Sequence, residues 1–139
     1  MKKYENKDYP LSDLTEKIIK VAFDVFNEFG YGLPERIYQR AFAVELEKSN
    51  IEFKKERYGA IKYEGKVIGK YFLDFLVDGQ VAVELKIRNE LYQAHISQLL
   101  NYIKAENLPV GLLLAYSKDG VKVKRLANTI SDNLRNKSA

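Results

Sequence analysis

Three residues on two neighbouring extended segments have types and spacing that could do chemistry together. Asp74 lies in Phe72-Leu73-Asp74-Phe75-Leu76, and Glu84 and Lys86 lie in Val83-Glu84-Leu85-Lys86. Residues two apart on a strand project from one face, so Glu84 and Lys86 are neighbours. Asp74 interrupts an apolar run, where an unpaired carboxylate is costly to desolvate and calls for a cation or hydrogen-bond donors. Magnesium takes oxygen ligands, commonly one or two carboxylates completed by water and phosphate oxygens, and Asp74 with Glu84 supply that pair. A cation so held lowers the pKa of a bound water. Lys86 is suited to position that water or to offset charge growing on a phosphate. The reaction class indicated is phosphodiester hydrolysis. The competing explanation is a structural ion pair among the same three residues, since such pairs also bring charged groups together.

Other chemistries are excluded more easily. The chain has no cysteine, which removes disulfides, thiolate metal sites and cysteine nucleophiles. Its single histidine, His95, leaves no two-histidine metal site, and no serine sits in a nucleophile elbow. Gly59 to Lys66 faintly resembles a phosphate-binding loop, but five residues separate Gly59 from Gly65 and Val67 stands where Ser or Thr is needed. The net charge of +4 leans toward an anionic partner without specifying one. Met1 to Pro10 is polar, and no run approaches the roughly 18 apolar residues of a membrane span, so a cytoplasmic protein with no membrane partner is expected.

The elements that must hold these residues follow from periodicity. The 139 residues, 46% hydrophobic and 30% charged, suit one globular domain spanning the whole chain. Leu14, Ile18, Val21, Ala22, Val25 and Phe26 recur at helical spacing within Leu11 to Phe29, with Ser12 or Asp13 as the cap. Gly30 and Gly32 break that pattern, and Pro34 opens a second helix ending near Ser49-Asn50. Tyr58 to Tyr63, Val67 to Val77 and Val81 to Ile87 are rich in β-branched and aromatic residues and read as three antiparallel strands. Glu90 to Glu106 returns to helical spacing, Val110 to Tyr116 reads as a buried strand, and Val121 to Lys124 adds an edge strand. A polar tail runs from about residue 128 to 139. The expected fold is a mixed α/β (α+β) domain with helices packed on a mixed sheet, in the order α-α-β-β-β-α-β(-β).

Several motifs then fall in one order along the chain. Gly32-Leu33-Pro34-Glu35-Arg36-Ile37-Tyr38 precedes Leu73-Asp74-Phe75-Leu76-Val77, Val83-Glu84-Leu85-Lys86, His95-Ile96-Ser97-Gln98-Leu99-Leu100-Asn101-Tyr102 and Gly111-Leu112-Leu113. Over roughly residues 13 to 126 the chain resembles the GxxExxY proteins of the PD-(D/E)XK nuclease superfamily, whose core is a restriction-endonuclease-like arrangement of helix, three strands, helix and strand. The resemblance implies a magnesium-dependent nuclease, with manganese as an alternative ion and DNA as the expected nucleic acid. It implies Asp74 and Glu84 as metal ligands, with the Leu85 carbonyl joining them. Lys86 becomes the catalytic lysine and Glu35 the acid of the first core helix. Gln98 and Tyr102 match the superfamily's QxxxY element, which contacts substrate or supports the acids, and Tyr38 joins these supporting candidates. The proline that usually precedes the first aspartate is replaced by Leu73.

The residues themselves allow plainer explanations for some of these. A carboxylate such as Glu35 in the first turn of a helix meets the macrodipole favourably, and Tyr38 on the same face fits aromatic packing. Leu91, His95, Gln98 and Tyr102 fall within about 60° of one another at ~100° per residue. This stripe borders the sheet-facing side, so Gln98 and Tyr102 are expected to point toward the acids, whereas His95 is read as solvated. Lys54, Lys55, Arg57, Lys62, Lys66 and Lys70, and separately Lys118, Lys122, Lys124 and Arg125, form basic clusters able to meet phosphates or to protect sheet edges. The alternative function is a non-catalytic module binding nucleic acid or protein, or an accessory subunit, with a second copy of the chain or another protein as partner.

Asp78-Gly79 is a standard two-residue hairpin signal, but such a turn would pair Asp74 with Val83 and turn Glu84 away. A shared metal requires the acids on one face. The loop is therefore expected to hold an odd number of residues, with Val77 opposite Val81 and Gly79 left-handed, or a bulge must precede the acids.

Overall fold

The computed structural model describes residues 11–128; the polar start and nearly all of the polar tail lie outside the described residues. In chain order the elements are α1 (Ser12–Phe29), α2 (Glu35–Lys48), β1 (Phe53–Tyr63), β2 (Lys66–Val77), β3 (Val81–Ile87), α3 (Gln93–Ala105), β4 (Val110–Ser117) and β5 (Gly120–Ala127). The strands form a sheet in sequence order, antiparallel except for β3 and β4, which run parallel because α3 carries the chain back between them. This is the mixed α/β order expected.

The sheet has two buried faces. Val81, Val83 and Leu85 alternate toward α1 and α2, meeting Ile18, Val25, Phe42 and Leu46, while Ala82 and Leu113 turn to the opposite side, against Leu99 and Ile103 of α3. β4 is buried throughout because it is covered on both faces. Gly111 permits the close approach of α3, since a Cβ there would lie 3.1 Å from Leu99 Cγ.

Three boundaries differ from the sequence reading by three residues or more; one is α3, which begins at Gln93 rather than Glu90. β1 begins at Phe53, five residues before the expected Tyr58, and β5 extends to Ala127. Both are edge strands whose exposed lysines obscure any apolar alternation, and pairing along an inner neighbour extends them. Neither Ser12 nor Asp13 caps α1; Leu11 occupies that position with φ 61°.

The hairpin between β2 and β3 has the expected odd loop. Val77 faces Val81, and Asp78, Gly79 and Gln80 form the turn, with φ of 52° at Asp78 and 65° at Gly79 and a Gln80 N–H bond to the Val77 carbonyl of 3.0 Å. A left-handed residue at each of the first two loop positions supplies the twist the strands need.

Candidate active site

The regular ladder between β2 and β3 stops at Phe75 opposite Val83. One step beyond, where Asp74 faces Glu84, side chains take over from the backbone. The Asp74 N–H donates to Glu84 Oε1 at 3.2 Å, and the Leu85 N–H donates to Asp74 Oδ2 at 2.7 Å. The two acids thus stand together at the point where the strands part. β1 is irregular at the same level: its pairing with β2 skips Glu56 and Asp74, and Glu56 has φ 52°. The irregularity changes what β2 covers, since Phe75 and Val77 pack toward α1 and α2 whereas Tyr71 and Leu73 pack toward α3.

Both Asp74 oxygens are held by protein donors, Oδ2 by Leu85 and Oδ1 by Gln39 Nε2 at 2.9 Å. Glu84 is partly buried, and desolvation, a hydrogen bond with the Asp74 carboxyl and the Asp74 charge raise its pKa to about 9, with Lys86 opposing. Two carboxyls this close cannot both ionise cheaply. Glu35, at the first turn of α2, reaches solvent, yet partial desolvation and then the Asp74 charge raise its pKa, against a lowering by Lys86. A helix N-terminus favours the charged form, so burial first and the Asp74 charge second work against the macrodipole there.

Lys86 is half-buried and, among the described residues, forms no ion pair within 4.0 Å, although its charge is felt by Glu84, Glu35 and His95. The purely structural ion pair considered for these residues is therefore not formed. Beside Asp74, a cleft of ≈ 170 Å³ is lined by Arg36, Gln39, Arg40, Lys55, Glu56 and Phe75. Its three cations could face a phosphate chain entering next to the acids.

The remaining candidates separate. Leu85 is fully buried and serves the site through its N–H to Asp74. Tyr38 is a correction to any substrate-contacting role, because it is 0% exposed and stacked on Tyr116 at 4.7 Å. Its hydroxyl donates to the Gly30 carbonyl at 2.6 Å and accepts the Leu33 N–H at 3.3 Å, fixing the turn that starts α2. Tyr38→Phe should destabilise the protein by about 1–3 kcal/mol, read from denaturant midpoints, because two backbone groups lose their partner.

Gln98 and Tyr102 do not turn to the acids. Tyr102 is buried edge-on to Tyr71 at 5.0 Å, and Gln98 is exposed in a groove of ≈ 470 Å³ bordered by Ala60, Ile61 and Ser97. The helical stripe is real, but α3 lies over Tyr71 and Leu73, beyond the irregularity at Asp74, so its polar edge faces the β1–β2 hairpin. His95 is only half-solvated, with Nε2 3.3 Å from Arg88 Nη1 and its pKa lowered by desolvation, then by Lys86 and Arg88. Gln39, Arg36 and Arg40 escaped the sequence reading. Gln39 and Arg40 follow Glu35 and Arg36 by one helical turn, and that spacing was the available signal.

Helices on both faces of a mixed sheet, with two acids and a lysine on adjoining strands, define the architecture of a nuclease fold. The chain belongs to the PD-(D/E)XK nuclease superfamily, whose family profile matches residues 12–126. Among solved structures it is similar to SSO0001, with a TM-score of 0.53 and 20% identity over 84% of this chain and 59% of that one. It is also similar to the alkaline exonuclease LHK-Exo from Laribacter hongkongensis, with a TM-score of 0.51 and 10% identity over 86% of this chain and 73% of that one. The chain therefore spans under two thirds of the length of the first of these. No curated protein matches it significantly. Among the described residues, no helix is long and apolar enough to cross a membrane.

Proposed function

We propose that this chain is a divalent-metal-dependent nuclease of the GxxExxY kind, hydrolysing phosphodiester bonds in DNA, in the cytoplasm and as one domain. The observation that carries the reading is the pairing of Asp74 with Glu84, Glu84 being raised to about 9 beside a Lys86 that is committed to no ion pair among the described residues. Superfamily membership and the fold shared with an alkaline exonuclease support it.

The donor set fits magnesium, or manganese in its place. Two partly buried carboxyls that crowd one another lack a positive charge between them, and both offer hard oxygen ligands. Among the described residues no three His, Asp or Glu side chains form a complete cage, so the Leu85 carbonyl, water and substrate phosphate oxygens would complete the coordination. When bound, the ion supplies a water of lowered pKa and a counter-charge for the phosphate. Asp74 is oriented for this by Leu85 and Gln39, and Glu84 must give up its proton to become a ligand. Lys86 directs its ammonium to the attacking water or to the phosphate oxygens, and Glu35 stands as an outer acid on the substrate side.

The test incubates the purified protein with linear, circular, single-stranded and branched DNA and with RNA, in magnesium, manganese or EDTA, beside Lys86→Ala. Cleavage of DNA that needs the metal and disappears in Lys86→Ala is expected. Cleavage equal in the variant overturns the assignment, and tight binding with no turnover on any substrate favours the non-catalytic module.

A further inference from the structure

The far half of the β1–β2 hairpin combines exposed aromatic rings with a concentration of positive charge. Within it, residues 57–72 contain four lysines and arginines, Arg57, Lys62, Lys66 and Lys70, against one glutamate, Glu64. Near the site the hairpin is covered, Phe75 packing on Phe42 and Phe53 at 5.1 and 5.8 Å. Past Asp74 it is not: Tyr58 is 59% exposed and Phe72 67%. These two are direct cross-strand partners with ring centroids 5.9 Å apart, and the Lys70 ammonium lies over the Tyr58 ring at 5.1 Å. Their neighbours Gly59 and Tyr71 turn the other way, with Tyr71 under α3, so alternation puts Tyr58 and Phe72 on the outer face. Phe72 precedes Asp74 by two residues, a rise of roughly 7 Å along the strand. The cleft beside Asp74, with Arg36, Arg40 and Lys55, continues the positive surface.

Positive charge alone would serve a duplex and a single strand alike, because both present phosphates. Exposed rings add a preference, since a flat aromatic face can stack only on bases that have left the duplex, and lysines beside it can follow the backbone. A second copy of the chain is the poorer occupant, because two hairpins of the same positive charge repel when brought face to face. We propose that Tyr58 and Phe72, with Lys70, form a stacking platform for unpaired bases of a nucleic-acid strand that passes from there to the cleft beside Asp74. The substrate class of the acid site is then a strand with unpaired nucleotides, such as a single strand, an end or a branch. This rests on the nucleic-acid part of the proposed function and not on cleavage.

The test measures fluorescence anisotropy of a labelled single-stranded oligothymidylate and of a blunt duplex of equal length, in EDTA so that nothing is cleaved. Wild type, Tyr58→Ala, Phe72→Ala, the double variant and Lys70→Ala are compared, with circular dichroism for folding and sedimentation for mass. Each aromatic substitution should weaken single-strand binding roughly tenfold and duplex binding by no more than about twofold, with the salt dependence unchanged. Lys70→Ala should weaken both and flatten the salt dependence. Binding is read without metal, so loss of cleavage in the separate metal assay leaves this result untouched and keeps the two proposals apart. Unchanged single-strand binding in the folded double variant, equal losses on both probes, or no binding by wild type overturns the platform. So does a wild-type dimer that the double variant dissociates without loss of binding.

Discussion

Lys86→Ala is expected to lose at least about 10²-fold of metal-dependent cleavage while its denaturation midpoint stays within about 0.5 kcal/mol of wild type. The two halves follow from one fact. Because the Lys86 ammonium is in no ion pair among the described residues, its removal strands no buried partner. Because it stands within electrostatic reach of Glu84 and Glu35, its removal takes the nearby cation from the place where phosphate charge must be offset. Single-turnover cleavage and urea denaturation measure the two halves. Activity retained with the fold would remove Lys86 from the chemistry, and a large stability loss would restore the structural-pair explanation. The acids behave differently. From sequence, alanine at Asp74 or Glu84 is expected to abolish cleavage and leave the fold intact or firmer, but Asp74 accepts the Leu85 N–H and the Gln39 amide. Asp74→Ala therefore costs about 1–3 kcal/mol in addition to activity, and Asp74→Asn is the cleaner variant.

The metal-free protein should lose stability as the pH rises from about 4.5 to about 9, by up to about 1.4 kcal/mol per pH unit, and Glu84→Gln should remove most of that slope. Glu84 in the folded protein keeps its proton up to about 9, while in the unfolded chain it releases it near the ordinary 4.5. Between those values the folded state binds more protons, so each upward step in pH favours unfolding. Below 4.5 both states are protonated and the effect vanishes. His95, whose pKa is lowered by desolvation and then by Lys86 and Arg88, acts in the opposite sense around 6.5 and is common to both proteins, so it cancels in the comparison. Urea midpoints of wild type and Glu84→Gln across this range, in EDTA, measure the difference. Magnesium should restore wild-type stability most strongly at the alkaline end, where its binding has the least proton to displace. Parallel slopes for the two proteins would show that the acids do not share a proton, and the reading of the pair would fall.

Much of this molecule was legible in local pattern. The period of the apolar residues placed all three helices and the interior strands, and the two-residue spacing of Glu84 and Lys86 put them on one face. The need for Asp74 to share that face identified the odd loop at Asp78-Gly79-Gln80 against its own dipeptide signal, because register parity is arithmetic along the chain. The edge strands were legible only in part, since solvent-facing lysines carry no apolar alternation.

Tertiary structure alone decided which helix faces which part of the sheet. The irregularity where Glu56 meets Asp74 makes residues before and after it pack on opposite sides, so Gln98 and Tyr102 went to the hairpin and Gln39 came to Asp74 from 35 residues away. It also took Tyr38 into the core and left Tyr58 and Phe72 outside. Periodicity reports that a residue lies on a face; what that face meets depends on contacts distant in sequence, and a strand that changes sides midway leaves the period intact while exchanging the partners.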